Sequence, residues 1–168
     1  MVAEETLQEY MRQWGATCVP FCERTAGDEA FFDTAQTGRA GELLNQSAAL
    51  RNVMLLTGDN GVGKSALLGR WMRKLDTRLY YAIAVTQATL TGTALLAFFA
   101  EKLGKDARLS RTHNLRQIEQ ALAELGRVIP VLIMDEAQNY DQSALEEIRL
   151  LLGLNLREIP AFALILAG

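Results

Sequence analysis

The segment that most restricts this chain runs from residue 52 to 75 and reads NVMLLTGDNGVGKSALLGRWMRKL. An apolar run, NVMLLTG over 52–58, ends in glycine and predicts a buried strand. GDNGVGKS fills 58–65 and fits G-x-x-x-x-G-K-[ST]. A helix then opens at Gly63, with Leu67, Leu68, Trp71, Met72 and Leu75 on its core face. Triphosphate is dense in negative charge, and backbone N–H groups are neutral donors that the chain already carries. Gly58, Gly61 and Gly63 let the backbone bend so that successive N–H groups face one concavity. The helix start adds unpaired N–H groups and the positive end of its dipole. The expected phosphate contacts are therefore Gly58, Asp59, Asn60, Gly61, Val62, Gly63, Lys64, Ser65 and Ala66. Lys64 places an ammonium on the outer phosphates, and Ser65 offers a hydroxyl ligand to Mg²⁺. Four fixed positions match by chance in roughly one such chain in a hundred. The competing reading is a glycine-rich turn with an incidental lysine, and the strand before and helix after weigh against it.

VLIMDE, 131–136, predicts a further strand, with Pro130 at its start, where a missing N–H is tolerated. It ends in Asp135 and Glu136. Acids there stand at the carboxyl edge of a parallel sheet, where open α/β folds bind ligands. Asp135 is suited to hold Mg²⁺ through a water, and Glu136 to orient or deprotonate an attacking water. The expected catalytic set is Glu136, Lys64 and Asp135, the metal set Ser65 and Asp135, and the cofactors ATP and Mg²⁺. Gln138 either contacts the same water or the γ-phosphate, or is a surface residue. The alternative for the acid pair is two solvated carboxylates at a strand end.

Elsewhere the pattern alternates. Thr6–Trp14 reads as a helix with capping-box spacing at Thr6 and Glu9, residues 16–33 as irregular, and 35–49 as a helix weakened by Gly38 and Gly41. RLYYAIAV, 78–85, is a strand, and 93–103 a helix stopped by Gly104. Asn114 caps a helix carrying Leu115, Ile118, Leu122 and Leu125. Ser143 and Glu146 have capping-box spacing before Leu145, Ile148, Leu151 and Leu152. AFALILA, 161–167, is a fourth strand after Pro160. Strands alternating with helices predict an α/β fold, a three-layer sandwich around a mainly parallel sheet. The chain divides into a lead-in, 1–33, and a nucleotide-binding core, 34–168, within one domain overall.

The 168 residues carry a net charge of −3, which gives no global pull toward nucleic acid or anionic membrane. MVAEETLQEY lacks the basic start and apolar run of a secretory signal, and no apolar stretch reaches the ~20 residues of a membrane span. Cys18 and Cys22, with His113 far away, do not supply the four ligands of a structural zinc site, so two reduced thiols in a cytoplasmic protein are expected.

LLTGDNGVGKSALL and VLIMDEAQNY resemble the Walker A and Walker B segments of AAA+ ATPases. Within these, the chain is similar to the ExeA-type secretion ATPases and the Mu B-type transposition-regulator ATPases, as is its VPF…FF segment ahead of the loop. The likeness extends over about 19–168. It implies a P-loop NTPase sheet in which AFALILA lies between the loop strand and VLIMDE. It also implies homo-oligomers that bind ATP between subunits, and a DNA, secretion or transposition partner. By resemblance, Asp135 matches the metal-binding acid and Glu136 the catalytic acid, and Val19 to Phe21 would line an adenine pocket, against the alternative of ordinary core. Adenine preference is likewise implied by the family; no N-K-x-D motif for guanine is present. The family's last strand and helical lid have no counterpart. NVMLLTG is thus expected to be an exposed edge, in a truncated product or excised domain, unless the first 33 residues cover it.

Three functions compete. The first is Mg-dependent ATP hydrolysis, weak in this form and coupled to remodelling of a partner. The second is an ATP-switched module that binds DNA or protein, with Arg70, Arg73, Lys74 and Arg78, or Lys102, Lys105, Arg108 and Arg111, on phosphates. Solvated helix charges are the plainer account of those residues. The third is a degenerate scaffold, against which the intact Lys64, Ser65, Asp135 and Glu136 argue.

Overall fold

The computed structural model describes residues 9–15, 31–86, 90–156 and 159–168, with the side chains of 155–156 excluded. It divides into two compact units, Met1–Phe32 and Asp33–Gly168. In the first, residues 9–13 are helical and Gly15 follows with φ 62°, a left-handed conformation suited to a helix stop. Thr6, Cys18, Val19, Phe21 and Cys22 lie outside the described residues, and with them the proposed cap, thiols and adenine pocket.

The second unit is built on a four-stranded parallel sheet. Its strands are β1 (Val53–Leu56), β2 (Tyr80–Val85), β3 (Ile129–Met134) and β6 (Ala163–Ala167), in the order β1-β6-β3-β2. A two-residue antiparallel pair, β4 (Asn155–Leu156) with β5 (Ile159–Pro160), precedes β6. The helices are α1 (Ala35–Ala49), α2 (Lys64–Lys74), α3 (Gly92–Lys102), α4 (Arg111–Glu124) and α5 (Gln142–Leu152).

Side chains alternate across the strands and sort the helices into two layers. Val131 and Ile133 of β3, with Ala163, Ile165 and Ala167 of β6, pack on Leu44 and Ala48 of α1 and on Leu68 and Trp71 of α2. Leu132 and Met134 pack on the other face with Leu95 and Phe99 of α3, Ile118 and Leu122 of α4, and Ile148 and Leu151 of α5. The result is the expected three-layer α/β/α sandwich. Strand β6 is flanked on both edges and covered on both faces, which explains why it carries only apolar residues. It lies between β1 and β3, as the resemblance implied.

Several boundaries differ from expectation. Helix α4 begins earlier than Asn114: Ser110 caps it, accepting from His113 N–H. Asn114 is instead fully buried, with its Nδ2 donating to Arg108 O (2.7 Å) and its Oδ1 accepting from Arg108 N–H (2.9 Å). Helix α5 is capped by Asp141, which accepts from Ala144 N–H, and not by Ser143. Ser143 Oγ donates to Asp141 (2.9 Å) and accepts from Gly92 N–H (3.0 Å), tying α5 to the start of α3. Strand β6 starts at Ala163, because Ala161 N–H is held by Leu154 O on leaving the short hairpin. Strand β2 starts at Tyr80, since Asp76 accepts from Arg78 N–H and holds residues 76–79 in a turn.

Candidate functional site

All four main strands run the same way, so their carboxyl ends gather on one edge. The ladders end in register there: Leu56 faces Ala167, and Leu166 faces Met134. Strands β1 and β3 are separated only by β6, which puts the exits of the glycine loop and of Asp135 about 10 Å apart. A lysine side chain or a hydrated cation spans such a gap.

The loop after β1 is solvent-exposed from Thr57 to Gly63. Gly61 (φ 83°) and Gly63 (φ 94°) are left-handed, which side chains resist, and Gly63 is the N-cap of α2. No side chain caps that helix start, so its first N–H groups have no side-chain acceptor. Lys64 and Ser65 occupy the first helical turn. The Lys64 ammonium donates to Gly58 O (2.7 Å) and Asp59 O (3.1 Å), folding back over its own loop. At Gly58 an added Cβ would meet Val62 Cγ2 at 3.1 Å, which keeps the first bend tight. These features fit a polyphosphate: a helix start with no side-chain cap, a cation within the loop, and an exposed mouth.

Asp135 continues the β3 ladder for one step, its N–H donating to Val85 O (3.2 Å), and is half-buried. Its Oδ1 accepts from Glu136 N–H (3.0 Å). Glu136 is exposed and left-handed (φ 53°, ψ 44°), and leads into a short 3₁₀ turn over Ala137–Asn139. Non-glycine residues in that conformation cost roughly 1–3 kcal/mol and cluster at functional sites. Gln138 Nε2 donates to Glu136 Oε2 (2.7 Å). Gly168 N–H donates to Leu56 O (3.1 Å), and its backbone lies against the Gln138 side chain. Beneath the acids Tyr140 is buried, its hydroxyl donating to Val85 O (3.2 Å). Burial, and then the Asp135 charge, push its pKa up to about 12. Nothing in the sequence pattern assigned Tyr140 a role; its place one step past a polar turn was the available signal.

Among the described residues no cluster of His, Cys, Asp and Glu could by itself hold a metal ion. The available donors are the Ser65 hydroxyl and the Asp135 carboxylate, both oxygen. They fit Mg²⁺, which prefers oxygen and is ordinarily held by few protein groups together with substrate phosphates.

Several of the basic residues considered for nucleic acid are taken up internally. Arg70 pairs with Asp33, Arg78 with Asp76, Lys105 with Glu124 and Arg111 with Glu147. Lys102 stands 5.2 Å from the Phe98 ring. A shallow apolar recess lined by Ile83, Phe99, Leu122, Pro130 and Phe162 lies within the α3–α5 packing and offers a phosphate no polar group. Among the described residues no helix is long and apolar enough to cross a membrane.

Residues 48–168 match the model of a family described as an AAA domain. No curated protein matches the chain. Similar solved structures include Cdc6p from Pyrobaculum aerophilum (20% identity, TM-score 0.63), covering 86% of this chain and 41% of that one. A Walker-type ATPase of Pyrococcus abyssi is 22% identical with TM-score 0.51, covering 84% and 46%. A chain of the Drosophila ORC bound to DNA is 16% identical with TM-score 0.54, covering 97% and 50%. At these identities the likeness is one of fold, and this chain spans half or less of each.

Proposed function

This chain belongs to the AAA domain family, and from that premise we propose that it binds Mg·ATP at the carboxyl edge of its sheet and hydrolyses it to ADP and phosphate. The observation that carries the reading is the uncapped start of α2 behind two left-handed glycines, one strand away from Asp135. In this reading the N–H groups of 58–66 hold the phosphates, and Lys64 leaves the carbonyls of Gly58 and Asp59 for the outer phosphate oxygens. Bound Mg²⁺ would neutralise charge on the β- and γ-phosphate oxygens. Ser65 and Asp135 are the residues to hold it. Glu136 orients a water toward the γ-phosphorus and accepts its proton as the bond to the bridging oxygen breaks. Tyr140 and the Val85 carbonyl support the turn that aims the acids.

The test is phosphate release by the chain, by Lys64→Ala and by Glu136→Gln, beside equilibrium binding of Mg·ATP. Lys64→Ala should lose at least about tenfold in affinity, because it removes a charge-assisted donor. Glu136→Gln should bind Mg·ATP and turn over at least about a hundredfold more slowly. Equal rates in all three would reject hydrolysis at this site.

The same reading includes a homo-oligomer, a cytoplasmic setting, and a macromolecular partner of the secretion or transposition kind. An ATP-switched DNA-binding module is the second reading. It draws on the DNA-bound ORC structure and on Lys74, exposed at the far end of the helix that the glycine loop opens. A salt titration of DNA binding with and without Mg·ATP separates the two, since phosphate contacts weaken steeply with salt.

A further inference from the structure

The hydrolytic reading makes Glu136 the base but leaves open what holds it. Its side chain is long and exposed, and a base that samples many rotamers spends little time beside the proton it must take. Two constraints act on it. The backbone is turned left-handed at this residue, where the chain leaves β3 for the 3₁₀ turn. Among the described residues the carboxylate then meets one side-chain donor, the Gln138 amide, at 2.7 Å.

Gln138 lies close beside Gly168, where an added Cβ would stand 2.5 Å from Gln138 Oε1 and 3.6 Å from its backbone nitrogen, so only glycine leaves the amide its place. Gly168 in turn donates to Leu56 O, the last residue of β1 before the glycine loop. The end of the loop strand, the β6 exit, the Gln138 amide and the Glu136 carboxylate are thus neighbours along one edge of the sheet.

Resting on the hydrolytic reading above, we propose that Gln138 is a positioning residue for the reaction: its amide fixes one oxygen of Glu136, leaving the other to face the attacking water. Gln138 does not take the proton and does not contact the phosphates; it acts through Glu136. A charged hydrogen bond is stronger than a neutral one and directional, which suits it to select one carboxylate rotamer.

The test is a double-mutant cycle on the full chain, with single-turnover rates and Mg·ATP affinity measured for the parent, Gln138→Ala, Glu136→Gln and the pair. Gln138→Ala should turn over about tenfold more slowly with affinity within about twofold, and add no further loss in the Glu136→Gln background. Gln138→Glu keeps the shape but replaces the donor with an acceptor, and should slow turnover at least as much at neutral pH. Thermal unfolding checks that each variant is folded, which the exposure of residue 138 favours. A purely structural role would tolerate Gln138→Glu, and that tolerance would overturn the assignment. A further loss on adding Gln138→Ala to Glu136→Gln would also overturn it, pointing to direct phosphate contact. Slowing by Glu136→Gln alone would sink the role of Gln138 while keeping the hydrolytic reading. Slowing by neither would sink both.

Discussion

Gly92 occupies a space that no side chain fits. A Cβ there would stand 2.7 Å from the Ser143 carbonyl oxygen and 2.9 Å from Glu147 Cγ, and its N–H is held by Ser143 Oγ. The carbonyl is helix backbone and cannot swing away, so Gly92→Ala must push α3 from α5. We expect a cost of about 1–3 kcal/mol, read as a lower thermal midpoint. Gly61 and Gly63 differ in kind: their neighbourhoods are open, and their left-handed φ alone makes a side chain costly. Glu136 bears a similar backbone cost without being glycine, which is intelligible if its carboxylate is worth more than the strain.

At the level of elements, one buried tie and one helix cap carry separable predictions. Asn114 spans the backbone N–H and C=O of Arg108 and fastens the α3–α4 connection. Asn114→Ala removes both bonds and should cost about 2 kcal/mol, a fall of about 4–8 °C in midpoint for a chain this size. Asp141 caps α5; the Ala144 N–H, then the Ser143 hydroxyl, hold its carboxyl below the ordinary 3.8. Because the folded value lies beneath the unfolded one, its stabilisation is complete above pH 3.8 and is lost as pH falls through the folded value. The midpoints of the parent and Asp141→Ala should therefore differ at neutral pH and converge in acid. These same elements show what was legible in advance. Among the described residues, periodicity located four of the core unit's α-helices and its four main strands, because each buries one stripe or two faces, whereas 35–49 reads as a helix without such a stripe. Capping spacing misled at α4 and α5: Ser110, Asn114, Asp141 and Ser143 are all good cap types, and only tertiary contacts decide between them. The β4–β5 pair escaped notice because two residues have no period. In the site, glycine and lysine spacing marked the loop, whereas the Gln138–Glu136 bond and the Tyr140 support depend on a turn whose left-handed start no glycine announces.

Across the whole core unit, polarity is uneven. Strand β1 is the outer member of the sheet, and its Val53 and Leu55 are 56% and 63% exposed, while Met54 and Leu56 face α1 and α2. Among the described residues nothing pairs with its outer edge. Unpaired apolar edges recruit other strands, and lysine on such an edge discourages this. Leu55→Lys should therefore reduce self-association measured by light scattering, while shifting stability by no more than about 0.5 kcal/mol. A large loss of stability would instead mean that Leu55 is covered.

The central place of β6 carries a consequence for the life of the molecule before it is finished. Arg51, just ahead of β1, reaches Ala161, just ahead of β6, across 110 residues of chain. During synthesis on a ribosome the glycine loop emerges early, but the wedge that brings it level with the acids arrives much later. Until then the two halves of the carboxyl edge have no common frame, and nascent chains should be unable to hold nucleotide. Refolding should likewise show nucleotide capture appearing with the slow, long-range step rather than with early helix formation.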